Sequence, residues 1–514
     1  MSEQLPLLDP QQLQAVASLP PTASWVRRRK KQQCIGRATI GFGVALFATL
    51  ALMAAVSWSS TKSASSVELE TIMDDYRAQQ FSGVVRLTHN GARKFSDWMG
   101  LANEEFDVPM QKHSVFPIGS NSKLFTSVAM YQLQEQGRVS LSSPVNEYLD
   151  QADFANFGFA NQSSWCPRVA EQSGSASARC ENVTFVQLLS MGSGIRGDDY
   201  ESTAAVPPVD LAHYRGSIAK HVGAFINAPL AFLPGTNYSY ANANYVLLSY
   251  LIEKLSGQKL ETYLSERIFQ PMELKKTYYD PFSGGRLVHK GFVNQYANFY
   301  TKPSPQKPGA TEFETETGAY DDTQQQPAAR KYLATGTCGP TVNSGALSGA
   351  GGIHSTVKDM HRVYKDLFLY HGTQSKVLSE ASIRAMLLTR NPVRSSYAQG
   401  INVAFDSDNE SQQDWPSKIS YCGRLKCTVT CMAMQLVGDD SFISSAFTNH
   451  VEYTFSNSDA FAQWQPSDDL VAAEPVGSSN TSAVSFEVGD YQVAELSWAL
   501  LDVFLRYLKA TEDK

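Results

Sequence analysis

A serine placed three residues before a lysine puts a hydroxyl and an amine on one face of a helix, one turn apart. The amine lowers the barrier to removing the serine proton, provided burial or neighbouring charge depresses its own proton affinity. Positions of the 514-residue chain with this spacing include Ser59, Ser120, Ser256, Ser304 and Ser355. Ser59 abuts a long apolar run, Ser304 lies in a proline-rich segment, and Ser256 follows the end of a helical pattern. Ser120-Asn121-Ser122-Lys123 instead follows the apolar Val115-Phe116-Pro117-Ile118 and Gly119. It opens an amphipathic helix, whose N-terminus favours developing negative charge. Ser120 is therefore the candidate nucleophile and Lys123 its proton partner.

Other chemistries find less support. There is no Gly-x-Ser-x-Gly nucleophile elbow. The nine histidines lack the close spacing of metal-ligand clusters, so no metal is expected. The net charge of −7 argues against a nucleic-acid partner, which calls for the opposite balance. The cysteines contain no redox Cys-x-x-Cys pair. Cys166 and Cys180 bracket a polar stretch and are expected to staple it. Cys338, Cys422, Cys427 and Cys431 allow three pairings, and Cys422 is alternatively a free thiol.

Phe116-Pro117-Ile118-Gly119-Ser120-Asn121-Ser122-Lys123 resembles the nucleophile segment of the serine β-lactamase-like superfamily: class C β-lactamases, penicillin-binding proteins and serine esterases. Further similar segments follow in the family's order. They are Val183 to Ile195, Pro234-Gly235-Thr236 through Tyr245, Glu266 to Met272, and Gly349 to Thr356. Together they span residues from about 81 to 450. The resemblance implies a mixed α/β (α+β) β-lactamase/transpeptidase-like fold, with an antiparallel sheet flanked by helices and a mostly helical subdomain.

The resemblance also implies a Tyr-x-Asn element, present at Tyr240-Ala241-Asn242 and Tyr296-Ala297-Asn298. The first has the Pro-Gly-Thr lead-in and a following helical pattern, so it is preferred. Tyr240 would serve as base if Lys123 stabilises its phenolate. Asn242 would orient the lysine or the substrate. The family's third element, a cation or histidine followed by Thr/Ser and Gly, aligns with Tyr421-Cys422-Gly423. The implied substrate-binding residues are thus Tyr421, Gly423 and Arg424, with the Ser120 and Arg424 amides as oxyanion hole. Losing the cation puts carboxylate binding and proton relay in question, and Arg424 or Lys426 is a candidate to compensate. His289-Lys290-Gly291 and Ser407-Asp408-Asn409 match related motifs but sit in the wrong order.

The elements that must position these groups show in the periodicities. Leu124, Phe125, Val128, Ala129 and Leu133 recur at helical spacing between Asn121 and Gly137. Further helical patterns run over Asn244–Leu255 and Val493–Leu508. Gly83 to Leu87 before Asn90-Gly91 predicts a strand and hairpin. Strands are also expected at Gln399–Phe405, Val429–Leu436 and Ser441–Thr448. Polar insertions fall near 161–181, 302–330, 406–418 and 456–482.

Ala38 to Trp58 carries no charge and is long enough to cross a hydrocarbon core as a helix. Arg27 to Lys31 precede it, predicting a cytosolic tail over 1–37 and a single-pass type II orientation. The alternative, a cleaved signal peptide, would start nearer Met1 and be shorter. Residues 59–80 read as a stalk and 81–514 as the hydrolase domain. Sequons at Asn161, Asn182, Asn237, Asn409 and Asn480, with six of the seven cysteines, fall beyond the span, consistent with a lumenal or extracellular domain. Glu3 to Leu8 resembles an acidic dileucine signal, which would imply endosomes, lysosomes or a vacuole. The expectation is a membrane-anchored serine hydrolase acting without cofactor on a small ester, amide or peptide, esters favoured. The alternative is a catalytically impaired scaffold or binding module.

Overall fold

The structure is a computed structural model. It describes residues 64–78, 81–170, 177–196, 216–279, 281, 293, 296–301, 319–321, 326–328, 332–337, 344–405, 415–425, 428–437, 440–455, 484–485, 496–497 and 499–502. The expected membrane span at 38–58, the tail before it and the insertion at 456–482 lie outside the described residues. So do Cys338, Cys427, Lys426, His289-Lys290-Gly291 and Ser407-Asp408-Asn409.

Helix α1, Ala64–Ala78, occupies much of the stretch expected to be a stalk. Its Leu69 and Met73 are buried, four residues apart and hence on one face. The small polar residues just before them read as a linker, while this apolar pair supplies the packing that makes a helix worthwhile.

Helix α2, Ser122–Glu135, is buried along nearly its whole length, from Ser122 to Leu133. It ends where Gly137 takes φ +67, a conformation that suits glycine. Helix α3, Asn242–Ser256, packs against it and ends the same way at Gly257, φ +72. Each matches its expected position closely because its apolar residues recur on the helical period. Between them, the segment Ser344–Ala350 is pinned by Thr126 Oγ1, which donates to the Gly349 carbonyl at 2.9 Å. Ser249 Oγ accepts from the Gly349 amide, also at 2.9 Å. Helix α4, Val357–Phe368, follows.

Six antiparallel strands form the main sheet: β1 Gly83–His89, β2 Ala92–Met99, β3 Asn402–Ala404, β4 Lys418–Leu425, β5 Thr428–Val437 and β6 Asp440–Thr448. Their order is β3-β4-β5-β6-β1-β2, so the N-terminal hairpin joins the strands that follow the helices. The β1–β2 turn has positive φ at both Asn90 and Gly91, as a two-residue hairpin requires.

The register divides the sheet into two faces. Gly423, Thr430, Phe447 and Val84 share one face, with Tyr421, Met432, Ser445 and Arg86 beside them. Helix α4 packs there through buried His361, whose ring nitrogens lie 3.1 Å from Thr88 Oγ1 and 2.8 Å from Ser445 Oγ. On the other face, Leu87 and Phe442 cluster with Leu501, and Ser444 Oγ donates to the Ser497 carbonyl at 2.5 Å. The expected C-terminal helix is described only over 496–497 and 499–502, where Leu496, Leu500 and Leu501 are buried.

Candidate active site

The strand pair Phe116–Pro117 with Ile353–Ser355 delivers the chain to a tight turn. Gly119, at φ +50, swings Ser120 onto the mouth of α2, and a side chain at Gly119 would strike the Arg424 backbone. Asn121 and Thr430 hold this turn to the sheet. The Asn121 amide donates to the Thr430 carbonyl at 2.8 Å and to its hydroxyl at 3.0 Å. Thr430 Oγ1 in turn donates to the Ile118 carbonyl at 3.0 Å.

One helical turn after Ser120, at the start of α2, Lys123 is fully buried. Its Nζ lies 3.0 Å from Ser120 Oγ, 2.8 Å from Asn242 Oδ1 and 2.8 Å from the Ala350 carbonyl. Three partners match the three protons of an ammonium, which is how a buried lysine keeps its charge. The Tyr240 hydroxyl is 2.5 Å from Ser120 Oγ, and the lysine nitrogen is 4.7 Å from the Tyr240 ring centroid. The nucleophile, the amine and the phenol therefore meet in one crevice.

This arrangement supports two placements of a single proton. An ammonium at Lys123 donates to Ser120, whose own proton then points to Tyr240. With a neutral amine the chain runs the other way, from Tyr240 through Ser120 to Lys123. Either placement leaves a basic atom in contact with Ser120 Oγ, as general-base activation requires.

Tyr240 reaches the crevice from the loop before α3. That loop is anchored to the Leu189–Ser193 segment: the Tyr245 hydroxyl donates to the Leu189 carbonyl at 2.7 Å, and the Ser239 amide to the Met191 carbonyl at 3.1 Å. Ser193 Oγ donates to Asn244 Oδ1 at 2.5 Å.

The opposite wall is β4. Tyr421 and Gly423 face the crevice, and Cys422 and Arg424 alternate to the far side of the sheet. A methyl at Gly423 would lie 1.9 Å from the Ile118 carbonyl oxygen and 2.9 Å from the Ser120 amide nitrogen, so only glycine allows this approach. Cys422 and Cys431 are direct partners with Cα atoms 4.1 Å apart, the narrow, non-hydrogen-bonded kind of antiparallel pair. Alternation makes Arg424–Val429 another such pair, so the Arg424 N–H points away from β5. The hydroxyl of Tyr421 donates to that of Tyr397 at 3.5 Å. Burial pushes the phenols of Tyr421 and Tyr397 well above the usual tyrosine range, with the nearby Tyr240 adding to the effect.

The Beta-lactamase family model matches residues 69–418, more than half of the chain. The chain belongs to the beta-lactamase family. Its curated relatives include an N-acetylmuramyl-L-alanine amidase of Bacillus subtilis, 25% identical over 34% of this chain and 36% of the relative. Esterase EstB of Burkholderia gladioli is 23% identical over 44% of this chain and 55% of the esterase. The match to the first of these relatives thus spans about a third of its length, and to EstB about half. Among solved structures, EstCE1, a hydrolase with promiscuous acyltransferase activity, has a TM-score of 0.53 at 15% identity, covering 75% of this chain and 93% of that one. The D-amino acid amidase of Ochrobactrum anthropi has a TM-score of 0.52 at 15% identity, covering 88% and 100%. At these identities the structures show a shared fold.

Within this beta-lactamase fold, Ser120, Lys123, Tyr240 and Asn242 converge as the sequence predicts. Tyr421 and Gly423 join them at the strand wall. Arg424 does so only through its backbone, because strand alternation carries its side chain to the opposite face, so it is no substitute for the missing cation. Cys422 is on that face too, bonded to Cys431 and not a free thiol; Cys166 and Cys180 are bonded as expected. The second Tyr-x-Asn lies on the strand Tyr296–Thr301, away from any helix start. Sequence reasoning missed the Ala350 carbonyl, Thr430 and Tyr397. The Gly349–Thr356 segment carried a signal for the first, since its glycines permit the close approach that brings that carbonyl to Lys123. Nothing local marked the other two.

Proposed function

We propose that the protein is a membrane-anchored serine hydrolase that forms an acyl-enzyme on Ser120 from a small ester, amide or peptide, esters being favoured. Ser120 Oγ attacks the substrate carbonyl carbon while its proton passes to Tyr240 or Lys123. The backbone amides of Ser120 and Arg424 receive the negative oxygen. The tetrahedral adduct collapses, the carbon–leaving-group bond breaks, and the stored proton goes to the departing alcohol or amine. Water then attacks the Ser120 ester, the same basic atoms take its proton, and the acid leaves with the serine restored. The observation that carries this reading is the contact of Ser120 Oγ with both Tyr240 and Lys123, at 2.5 and 3.0 Å.

Esters are favoured because the strand wall turns a phenol and a glycine, not a cation, toward the nucleophile. An alkoxide is a better leaving group than an amine anion and depends less on a strong proton donor. The run Ala38 to Trp58 would supply the anchor, with the hydrolase domain in the lumen or outside the cell. Two disulfides suit an oxidising compartment, and the sequon residues Asn161, Asn182 and Asn237 are exposed.

Detergent-solubilised full-length protein treated with a fluorophosphonate tests the catalytic reading. Labelling that is lost in Ser120→Ala is the expected result. A folded chain that fails to label with fluorophosphonate or labelled penicillin would overturn the hydrolase in favour of a scaffold.

A further inference from the structure

The cations of the β1–β2 hairpin and of helix α4 take no part in the steps above. We infer that the groove between α4 and the edge strand β2 binds a phosphate group, with Arg86 as its floor and Arg93 and Lys365 at its rim. The inference stands apart from the chemistry at Ser120 and does not rest on it.

Register places the floor. Arg86 lies opposite Ser96 on one side and Ser445 on the other, so its side chain leaves β1 on the face that α4 covers. There His361 of α4 is hydrogen-bonded to Ser445 and to Thr88, two residues along the strand from Arg86. Arg93 is the β2 partner of Thr88, which makes it a diagonal neighbour of Arg86, roughly 7 to 8 Å away. Helix α4 carries Lys358, Arg362 and Lys365 at positions i, i+4 and i+7, along one side. Lys365 reaches over the hairpin turn, where a methyl at Gly91 would lie 3.0 Å from its Nζ. Strand β2 is the edge of the sheet, and Arg93 on it is exposed, so the groove opens to solvent.

The charges in this groove call for an anion. Arg86 is half-buried, and its Nε is buried with no hydrogen-bond partner among the described residues. Burial, followed by the like charges of Arg93 and Arg362, pushes its pKa down. Carboxylates on the same elements are engaged elsewhere. Asp359 accepts from Arg362 at 3.2 Å, Asp366 accepts from the Ser375 hydroxyl at 2.8 Å, and Asp97 pairs with Arg77. A buried guanidinium nitrogen without an acceptor costs stability until something supplies one. A water satisfies Nε but leaves the like charges opposed. A carboxylate offers two oxygens in one plane. A phosphate spreads its oxygens tetrahedrally, so it can meet the Arg86 fork together with Arg93 and Lys365. A soluble phosphate monoester and a phospholipid headgroup share this chemistry.

The test uses thermal melts and titration calorimetry on detergent-solubilised full-length protein. Inorganic phosphate, glycerol 3-phosphate and acetate are added at matched ionic strength. The two phosphates should raise the midpoint by about 2 °C, and acetate should not. Arg86→Gln and Arg93→Gln should each weaken phosphate binding about tenfold. Arg93 is exposed, so its variant keeps the test decisive should Arg86→Gln fail to fold. A second arm places the same proteins in nanodiscs of phosphatidylcholine with or without phosphatidic acid. A rise with phosphatidic acid alone, lost in Arg93→Gln, assigns the phosphate to a lipid headgroup, whereas a rise with the soluble anions assigns it to a free monoester. No rise with any phosphate probe, or a rise that both variants leave intact, would overturn the site.

Discussion

On the helical side of the cleft, Ser120, Lys123, Tyr240 and Asn242 meet through their side chains, and the lysine finds three hydrogen-bond partners. On the strand side, β4 contributes chiefly backbone: Gly423 lies against the Ser120 turn, and the Arg424 amide is turned away from β5 while its side chain leaves by the other face. The helical wall therefore depends on residue chemistry, whereas the strand wall depends on register and on the absence of a side chain. Substitutions should act differently on the two, and this gives the comparison its tests.

The largest effect belongs to the helical wall. Lys123→Met should lower the fluorophosphonate labelling rate on the order of 10^3-fold, the scale of a lost proton-transfer group. Its thermal midpoint should hold or rise, because a buried charge is replaced by a methylene chain of similar size. A melt that collapses would mean that Lys123 chiefly supports the fold.

Gly423→Ala comes next. The added methyl meets backbone atoms that cannot yield, so β4 must move from the oxyanion position, and labelling should fall about 10^2-fold. A rate near wild type would show that β4 does not form the oxyanion site.

Two effects on stability follow, read from denaturation curves. Replacing Cys422 and Cys431 together by serine should cost about 2 kcal/mol, since the closed loop is short. In the helical layer, His221 is fully buried with its ring nitrogen 2.9 Å from the Ala346 carbonyl, and burial brings its pKa down to about 4. The unfolded chain protonates this histidine near pH 6.5 and the folded chain does not. The associated stability is complete above that pH and is lost as pH falls through 6.5 toward 4. Between pH 7 and 5 the loss should be roughly 2 kcal/mol, and His221→Gln should flatten that slope. An unchanged slope would remove His221 as its cause.

Arg424→Ala should have the smallest effect, less than about twofold on labelling, because its side chain points away from the cleft. A large loss would break the distinction between the walls.

Much of the helical wall was legible in the sequence, since a hydroxyl and an amine three residues apart share a helix face by local geometry alone. The hairpin at Asn90-Gly91 and the courses of α2 and α3 were legible for the same reason. Helix α1 was missed because its first residues have the composition of a linker, and the packing of Leu69 and Met73 outweighs it.

What the sequence determined by itself was local in the Ser120–Lys123 pairing, while the Tyr240–Asn242 pair and Gly423 were read through the resemblance of their segments to the family. Only the tertiary structure decided which face of β4 meets the nucleophile, that Cys422 bonds to Cys431, and that the Ala350 carbonyl, 227 residues from Lys123, completes the lysine's partners. Backbone carbonyls look alike in sequence. Their roles arise where distant segments pack, and no local pattern records that approach.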